Sequence, residues 1–250
     1  MTMETNVLIA HMDDLANKAV KIGYTASKFL TPAETQSITE NFARRHDIAL
    51  TPDGGYEGAE RIRMVFTNPD WGTYDREDLF SALKIVHRPQ DSLGHRDILG
   101  ALMSLGIERE TVGDIIVDEQ LAIVVCMPEL SGYIAGNISK AGRVGIKISE
   151  IALNDIPARK EELTIKTGTI ASMRLDAVLS VAFGLSRSKV AELVAAGRVS
   201  LNHQICLQAG KVVSEQSLLS VRGLGRAKLL EVGGTTKKGR IFIQIGLYGR

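Results

Sequence analysis

Between Met173 and Lys228 the apolar residues change period twice within a short span, and this limits what the chain can fold into. Leu175, Val178, Leu179, Ala182 and Phe183 recur at i, i+3, i+4, i+7 and i+8, a single helical stripe. Gly184 stops that helix, and Ser186 is placed to cap a second one carrying Val190, Leu193 and Val194. Gly197 ends the second helix. Val199 and Leu201, then Ile205 and Leu207, read as strands on either side of Asn202-His203, a tight turn, because Asn tolerates positive φ. The stretch therefore predicts two short helices joined by a tight turn and followed by a hairpin.

The charges of the same region point to one kind of partner. From Ile170 onward there are 12 Lys+Arg against 4 Asp+Glu, a net of +8, which leaves 18 against 25, a net of −7, for the first 169 residues. The overall +1 hides this division. A basic module fused to an acidic body predicts a polyanion-binding end and a body with another task. Cys126 and Cys206 lie far apart in apolar surroundings and read as buried thiols of a reducing compartment, with no disulfide and no metal site. The N-terminus has no signal pattern, and the most apolar run, Leu121 to Met127, is far too short to span a bilayer. A cytoplasmic protein without membrane contact is expected.

The residues 173–228 resemble the S4 RNA-binding domain. The marks are Arg174-Leu175-Asp176, Ser186-Arg187, the step Gly197-x-Val199-x-x-Asn202, and Val221-Arg222-Gly223-x-Gly225-Arg226. Two turn positions depart from the pattern: His203 stands where Gly commonly follows the Asn, and Gln216-Ser217 where Gly-Asp commonly precedes the last strand.

Upstream, Leu8, Met12, Leu15, Ala19 and Ile22 fall near one helical face that Gly23 closes, and Thr31-Pro32-Ala33-Glu34 opens a second helix with Ile38 and Phe42 on its apolar side. Pro52-Asp53-Gly54-Gly55 reads as a turn, Arg61 to Thr67 as a strand, and Asn68 to Gly72 as a loop. From Leu79 to Ile151 the order becomes strand, helix, strand, strand, helix, strand. These are Phe80 to Val86, Gly94 to Leu105, a hairpin of Gly113–Asp118 and Leu121–Cys126 across residues 118–120, a helix from Pro128, and a strand through Val144, Ile146 and Ile148. This is the split βαβ, ferredoxin-like layout that RNA recognition motifs share. Phe80 is the sole aromatic expected on these strands, so the base-stacking surface of such motifs is missing. Asp155 to Gly168 contains Pro157, mixes charges and reads as a linker with a short extended piece.

The middle segment carries a sharper likeness. His95-Arg96-Asp97-x-Leu99-Gly100-Ala101-Leu102, then Leu105-Gly106-Ile107-x-Arg109-Glu110-x-x-Gly113-Asp114-Ile115, resembles the signature of the YlmH-type S4-domain proteins, over the whole length of the chain. The resemblance implies an α+β protein: a helical N-terminal region with a strand (residues 1–75), an RRM-like βαββαβ domain (76–154), a linker (155–169) and a C-terminal S4 domain (170–250). It further implies RNA binding on the large ribosomal subunit, rescue of stalled nascent chains and, in some bacteria, a part in cell division.

Within the S4 stretch, Ser186, Arg187, Ser188 and Lys189 gather at a helix N-terminus, where unpaired N–H groups favour phosphate, and Arg174, one turn into the preceding helix, is expected to reach the same groove. In Arg222-Gly223-Leu224-Gly225-Arg226, two glycines let the backbone approach a phosphate between flanking guanidinium groups. Arg198, Asn202 and Lys211 complete the set expected at the RNA. Asp176, one acid among bases, is read as orienting Arg174 or another arginine. His87, Arg88, His95, Arg96 and Asp97 crowd one junction of the middle domain, and His95, Arg96 and Asp97 are read as a possible partner or RNA contact. They lack metal-ligand spacing, and no nucleophile motif or phosphate cradle accompanies them, so no catalysis and no cofactor are expected. The reading is a monomeric, non-enzymatic protein that binds rRNA, with tRNA, ribosomal proteins or translation factors as further partners. The alternatives are an RNA-modifying enzyme with an appended S4 domain, such as a pseudouridine synthase, and a cell-division adaptor.

Overall fold

The computed structural model describes residues 3–118, 121–157 and 163–249, which form two compact units, one within Met1–Arg159 and one within Lys160–Arg250. The first begins with α1 (Met3–Ile22), β1 (Tyr24–Leu30), α2 (Pro32–Phe42), β2 (Ala49–Asp53) and β3 (Ile62–Thr67). Met12, Ala16 and Ala19 are the buried stripe of α1, while Ile22, expected on that face, is exposed in the last turn. Thr31 and Glu34 close a full capping box at the start of α2. The strands form an antiparallel sheet in the order β1-β3-β2. Two of them are not announced by the sequence pattern: β1, and β2, which takes in Pro52 and Asp53 where a turn is predicted. Pro52 is tolerated because β2 is an edge strand. The N-terminal region is therefore two helices on a three-stranded sheet, not helices with a lone strand.

The chain continues with β4 (Ser81–Val86), α3 (His95–Ser104), β5 (Val112–Val117), β6 (Leu121–Cys126), α4 (Pro128–Asn137), the short pair β7 (Lys140–Ala141) and β8 (Val144–Gly145), and β9 (Lys147–Ile151). Its sheet is antiparallel in the order β5-β6-β4-β9, the ferredoxin-like arrangement, with Leu83, Ile85, Val124 and Cys126 packed on Ile98, Leu102 and Ile134 of the helices. The tip of the β5–β6 hairpin, residues 119–120, lies outside the described residues. The final strand starts later than the alternation of Val144, Ile146 and Ile148 implies, since Val144 pairs with Ala141 in a separate two-stranded ribbon. Phe80 precedes β4 and is buried, so no aromatic side chain lies on the four strands.

The two sheets of this unit share a core. Phe29 and Val65 from the first pack with Ala82, Ile123 and Val125 from the second and with Phe80 just before β4, and the rings of Phe29 and Phe80 stand 5.8 Å apart at 59°. Every residue of β3 is buried, with Met64 and Phe66 towards α1 and α2 and Val65 towards the second sheet. Arg63 is buried with them, donating from Nε to Ser27 O (2.6 Å) and from Nη1 to Leu79 O (2.6 Å), and its cation lies over the Phe80 ring. Burial pulls its pKa down from the ordinary arginine value.

Gly113 and Asp114 lock this joint. A Cβ on Gly113 would stand 2.6 Å from the Phe29 ring. Asp114 accepts from the Tyr56 hydroxyl (2.8 Å), the Glu60 N–H (2.7 Å) and the Arg61 N–H (3.1 Å), so one carboxylate fixes the loop before β3 to β5. Asp53 has a similar role for the following loop, accepting from Gly55 N–H, Tyr74 Oη (3.0 Å) and Arg76 Nε (2.9 Å). Burial and then the bond to Asp53 push the Tyr74 phenol up to about 12.

The second unit comprises β10 (Leu163–Ile170), α5 (Leu175–Phe183), α6 (Arg187–Ala195), β11 (Val199–Leu201), β12 (Gln204–Ile205), β13 (Leu218–Val221), β14 (Gly225–Thr235) and β15 (Ile241–Tyr248). Six strands run in the order β10-β15-β14-β13-β11-β12, with Leu175, Val178, Leu179, Val190 and Val194 of the helices packed on Leu219, Leu229, Ile243 and Ile245. Residues 155–169, expected as a linker, contribute most of β10, which pairs with β15 along its whole length; residues 158–162 lie outside the described residues. The edge position of β10 leaves Ile165 half exposed.

Two outcomes follow for stability. Gly113→Ala, pressed against a buried ring, should cost about 1–3 kcal/mol in urea unfolding, whereas Gly100→Ala, with open space at its Cβ, should cost nothing or stabilise its helix. A fragment beginning at Ala171 should melt well below one beginning at Lys160, because it lacks β10.

Candidate nucleic-acid interface

Arg174 is the residue from which α5 starts, not one turn inside it: its carbonyl accepts from Ala177 and Val178 N–H. The first N–H groups of α5 are taken up from outside, Leu175 N–H by Lys211 O (2.9 Å) and Asp176 N–H by Ala209 O (2.9 Å). The loop bearing Lys211 is thereby held against Arg174, whose guanidinium lies on Gly210, 3.0 Å from where a Cβ would stand.

Asp176 organises this end of the helix pair. Its buried carboxylate accepts from Arg174 Nε and Nη2 (both 3.2 Å) and from Arg187 Nη2 (2.7 Å), while both arginines keep about half of their side-chain surface exposed. Burial alone pushes the Asp176 pKa up, but the hydrogen bonds and charges of Arg174 and Arg187 outweigh it and hold the carboxyl below its ordinary 3.8. One buried negative charge thus fixes two outward-facing cations, a net of one positive charge in a rigid fork.

At the N-terminus of α6, Ser186 Oγ accepts from Lys189 N–H (3.2 Å) and bonds Ser188 Oγ (3.0 Å). The cap leaves the Arg187 and Ser188 N–H groups without an intrahelical acceptor, as helix geometry requires. Lys189 Nζ pairs with Glu192 (2.8 Å) on the surface.

A second group lies past the other end of α6, a helix about 13 Å long at 1.5 Å per residue. There Arg198, Ser200, Ser220, Arg222, Gly223 and Arg226 line a groove of about 320 Å³. Arg198 Nη2 donates to Arg222 O (2.9 Å), and Arg226 stacks over the Tyr248 ring at 4.9 Å. Gly223 and Gly225 stand at φ 89° and 115°, values that side-chain-bearing residues rarely adopt, so the backbone can turn tightly between the arginines. Asn202 is engaged elsewhere: its Oδ1 accepts from Leu218 N–H (2.8 Å) and locks the turn at φ 47° that leads to His203 at φ 66°. His203 and Gln216, the two departures from the S4 pattern, both hold the positive φ that glycine would otherwise supply. The sequence-predicted residues therefore gather into two groups, Arg174, Ser186, Arg187, Ser188, Lys189 with Lys211, and Arg198, Arg222, Gly223, Gly225, Arg226. Sequence reasoning misses Ser200 and Ser220, although period-two alternation between the core residues Val199/Leu201 and Leu219/Val221 marks both as outward-facing.

The middle-domain residues are not gathered at one point. Asp97 Oδ2 accepts from Gly94 N–H (3.0 Å) and its carboxylate packs where a Cβ on Gly142 would stand, so it fixes the entry to α3. His95 faces a cavity of about 400 Å³ with Arg61, Arg109 and Asp114. Arg96 is exposed, and His87 and Arg88 line a different cleft. Cys126 is buried and burial pushes its thiol up to about 12, far from a reactive thiolate. No cluster of three or more His, Cys, Asp or Glu placed to hold a metal occurs among the described residues, nor any helix long and apolar enough to cross a membrane.

Comparison with known proteins meets this geometry segment by segment. Residues 4–71 match the family model "YlmH, N-terminal", residues 77–155 "Putative RNA-binding domain in YlmH", and residues 173–218 "S4 domain". The "Ribosome-associated protein quality control protein P2" of Bacillus subtilis (strain 168) is 32% identical over 212 residues, 84% of this chain and 82% of that protein. The solved "Cell division protein ylmH from Streptococcus pneumoniae" shares the fold, with a TM-score of 0.53 at 19% identity over 62% of this chain and 96% of that one. A ferredoxin-like domain followed by an S4 domain defines the class, that of S4-domain proteins of mixed α and β structure. Within it, the chain belongs to the YlmH family.

The Asp176 fork makes a pH prediction. Because its folded pKa is depressed, the stability it adds is complete above the ordinary 3.8 and is lost as pH falls through the folded value. Asp176→Asn should destabilise the chain by about 2 kcal/mol at pH 7, and its melting temperature should decline less than that of the unsubstituted protein on acidification below pH 4.

Proposed function

We propose that this chain is a non-enzymatic RNA-binding protein that docks on structured, large-subunit ribosomal RNA through its S4 domain and works in ribosome-associated quality control. The observation that carries the reading is the Asp176 fork. A buried acid aims Arg174 and Arg187 outward beside the capped start of α6. A guanidinium pair fixed in this way matches phosphate oxygens and needs little further ordering on binding. The groove of Arg198, Arg222 and Arg226 lies past the other end of the same helix, so one RNA strand or loop can be gripped at two points. Contacts of this kind set position and register, and RNA shape supplies selectivity. The name of the Bacillus subtilis relative supports the ribosomal setting. In this reading the protein acts as a monomer in the cytoplasm, with tRNA, ribosomal proteins or translation factors as neighbours.

Binding of a labelled rRNA hairpin to the full chain should weaken with salt at a slope of about −0.7 per phosphate engaged. Arg222→Glu, at an exposed position, should weaken binding to every RNA tested and leave the melting temperature unchanged. On sucrose gradients at low salt the protein should travel with the large subunit; remaining at the top would count against this function.

A further inference from the structure

The sheet face that RNA recognition motifs offer to bases is closed in this chain. Ala82, Ile123 and Val125 on that face are buried with Phe29 and Val65 of the N-terminal sheet, and Phe80 is sealed between the two. Stacking bases there would mean taking apart a hydrophobic core. Any RNA contact made by the middle domain must use another surface.

One other surface has the needed chemistry. Where β4 ends and β9 begins, a cleft of about 640 Å³ is lined by His87, Arg88 and Asp91 on one side and Ser139, Arg143 and Lys147 on the other. Its walls are fixed by the fold: Val86 pairs with Lys147 across the strands, Asp91 N–H donates to Arg88 O (3.0 Å), and Ile146 N–H donates to Ser139 O (2.9 Å). Arg88, Arg143 and Lys147 are exposed, and among the described residues none is in an ion pair. Asp91 is the one carboxylate in the lining and neutralises none of them. The first 169 residues carry a net −7, so three uncompensated cations around one concavity depart sharply from the rest of that body. The volume suits a nucleotide, and an open cationic rim suits its phosphates.

We propose that this cleft is a second RNA site, taking the sugar-phosphate backbone of a single-stranded or looped segment in place of the occluded sheet face. It rests on the RNA-binding reading above but on none of the S4 residues. The test uses the full chain and a fluorescent RNA hairpin with a single-stranded tail, followed by anisotropy through a salt series. Arg88→Glu with Lys147→Glu should weaken binding and make the salt slope shallower by about 0.7 for each phosphate that is no longer engaged. Lys18→Glu with Lys21→Glu on α1 changes net charge equally at exposed positions and should leave that slope unchanged. Equal effects from the two pairs, or none from the first, would overturn the cleft. Arg198→Glu with Arg222→Glu separates the two ideas. Weaker binding from that pair but not from the cleft pair retains the S4 site alone; the reverse retains the cleft alone. Absence of hairpin binding by the unsubstituted chain at low salt would sink both.

Discussion

The contact on which the first unit depends is made between two sheets, not within either. Phe29 meets Phe80 at a tilt, β3 is buried on both sides, and Arg63 is sealed in with carbonyl partners and an aromatic face. Such a cation is tolerable only where its hydrogen bonds are satisfied and its surroundings do not shift. The layers are helices, sheet, sheet, helices, and removing one sheet would expose the core face of the other. The N-terminal region is thus the cover of the middle domain, and its presence decides which surfaces of that domain remain available.

The second unit solves a different problem, that of presenting positive charge without scattering it. The candidates for anion contact are mostly arginines and lysines on short elements, where free side chains would lose much entropy on binding. Asp176 meets part of that cost in advance by holding Arg174 and Arg187 through three hydrogen bonds. Gly210 and the carbonyls of Ala209 and Lys211 complete the frame. The groove beyond α6 uses backbone instead, with two left-handed glycines and a carbonyl that accepts from Arg198.

Much of this is legible in the residues, and the failures have physical causes. The helices α2, α3, α5 and α6 announce themselves through caps and stripes, and β4, β5 and β6 through apolar runs. The strand β3 is legible too, but Arg61, Arg63 and Thr67 make it look half solvated, since nothing in a single sequence tells that an arginine faces a second sheet. The strands β1 and β10 are hidden because Tyr24–Leu30 carries Thr25, Ser27 and Lys28 among its apolar residues, and Leu163–Ile170 loses its apolar alternation after Ile165, in Lys166-Thr167-Gly168-Thr169. The cations of the S4 stretch are recognisable from type and order. Their division into two groups, and the withdrawal of Asn202 into its own turn, depend on three-dimensional packing. The meaning of Gly113-Asp114 is equally opaque: both belong to a joint whose other half lies some fifty to eighty residues earlier, at Tyr56, Glu60, Arg61 and Phe29.

The pairing of β10 with β15 carries a consequence for how the protein is made. Leu163 bonds opposite Tyr248, so the first strand of the second unit finds its neighbour only in the strand that follows every other element of that unit. Until β15 clears the ribosomal exit tunnel, β10 has no strand to pair with and the sheet cannot close. Arg174 and Arg187, which stand at the starts of α5 and α6, are thus withheld from a finished fold until that strand has emerged.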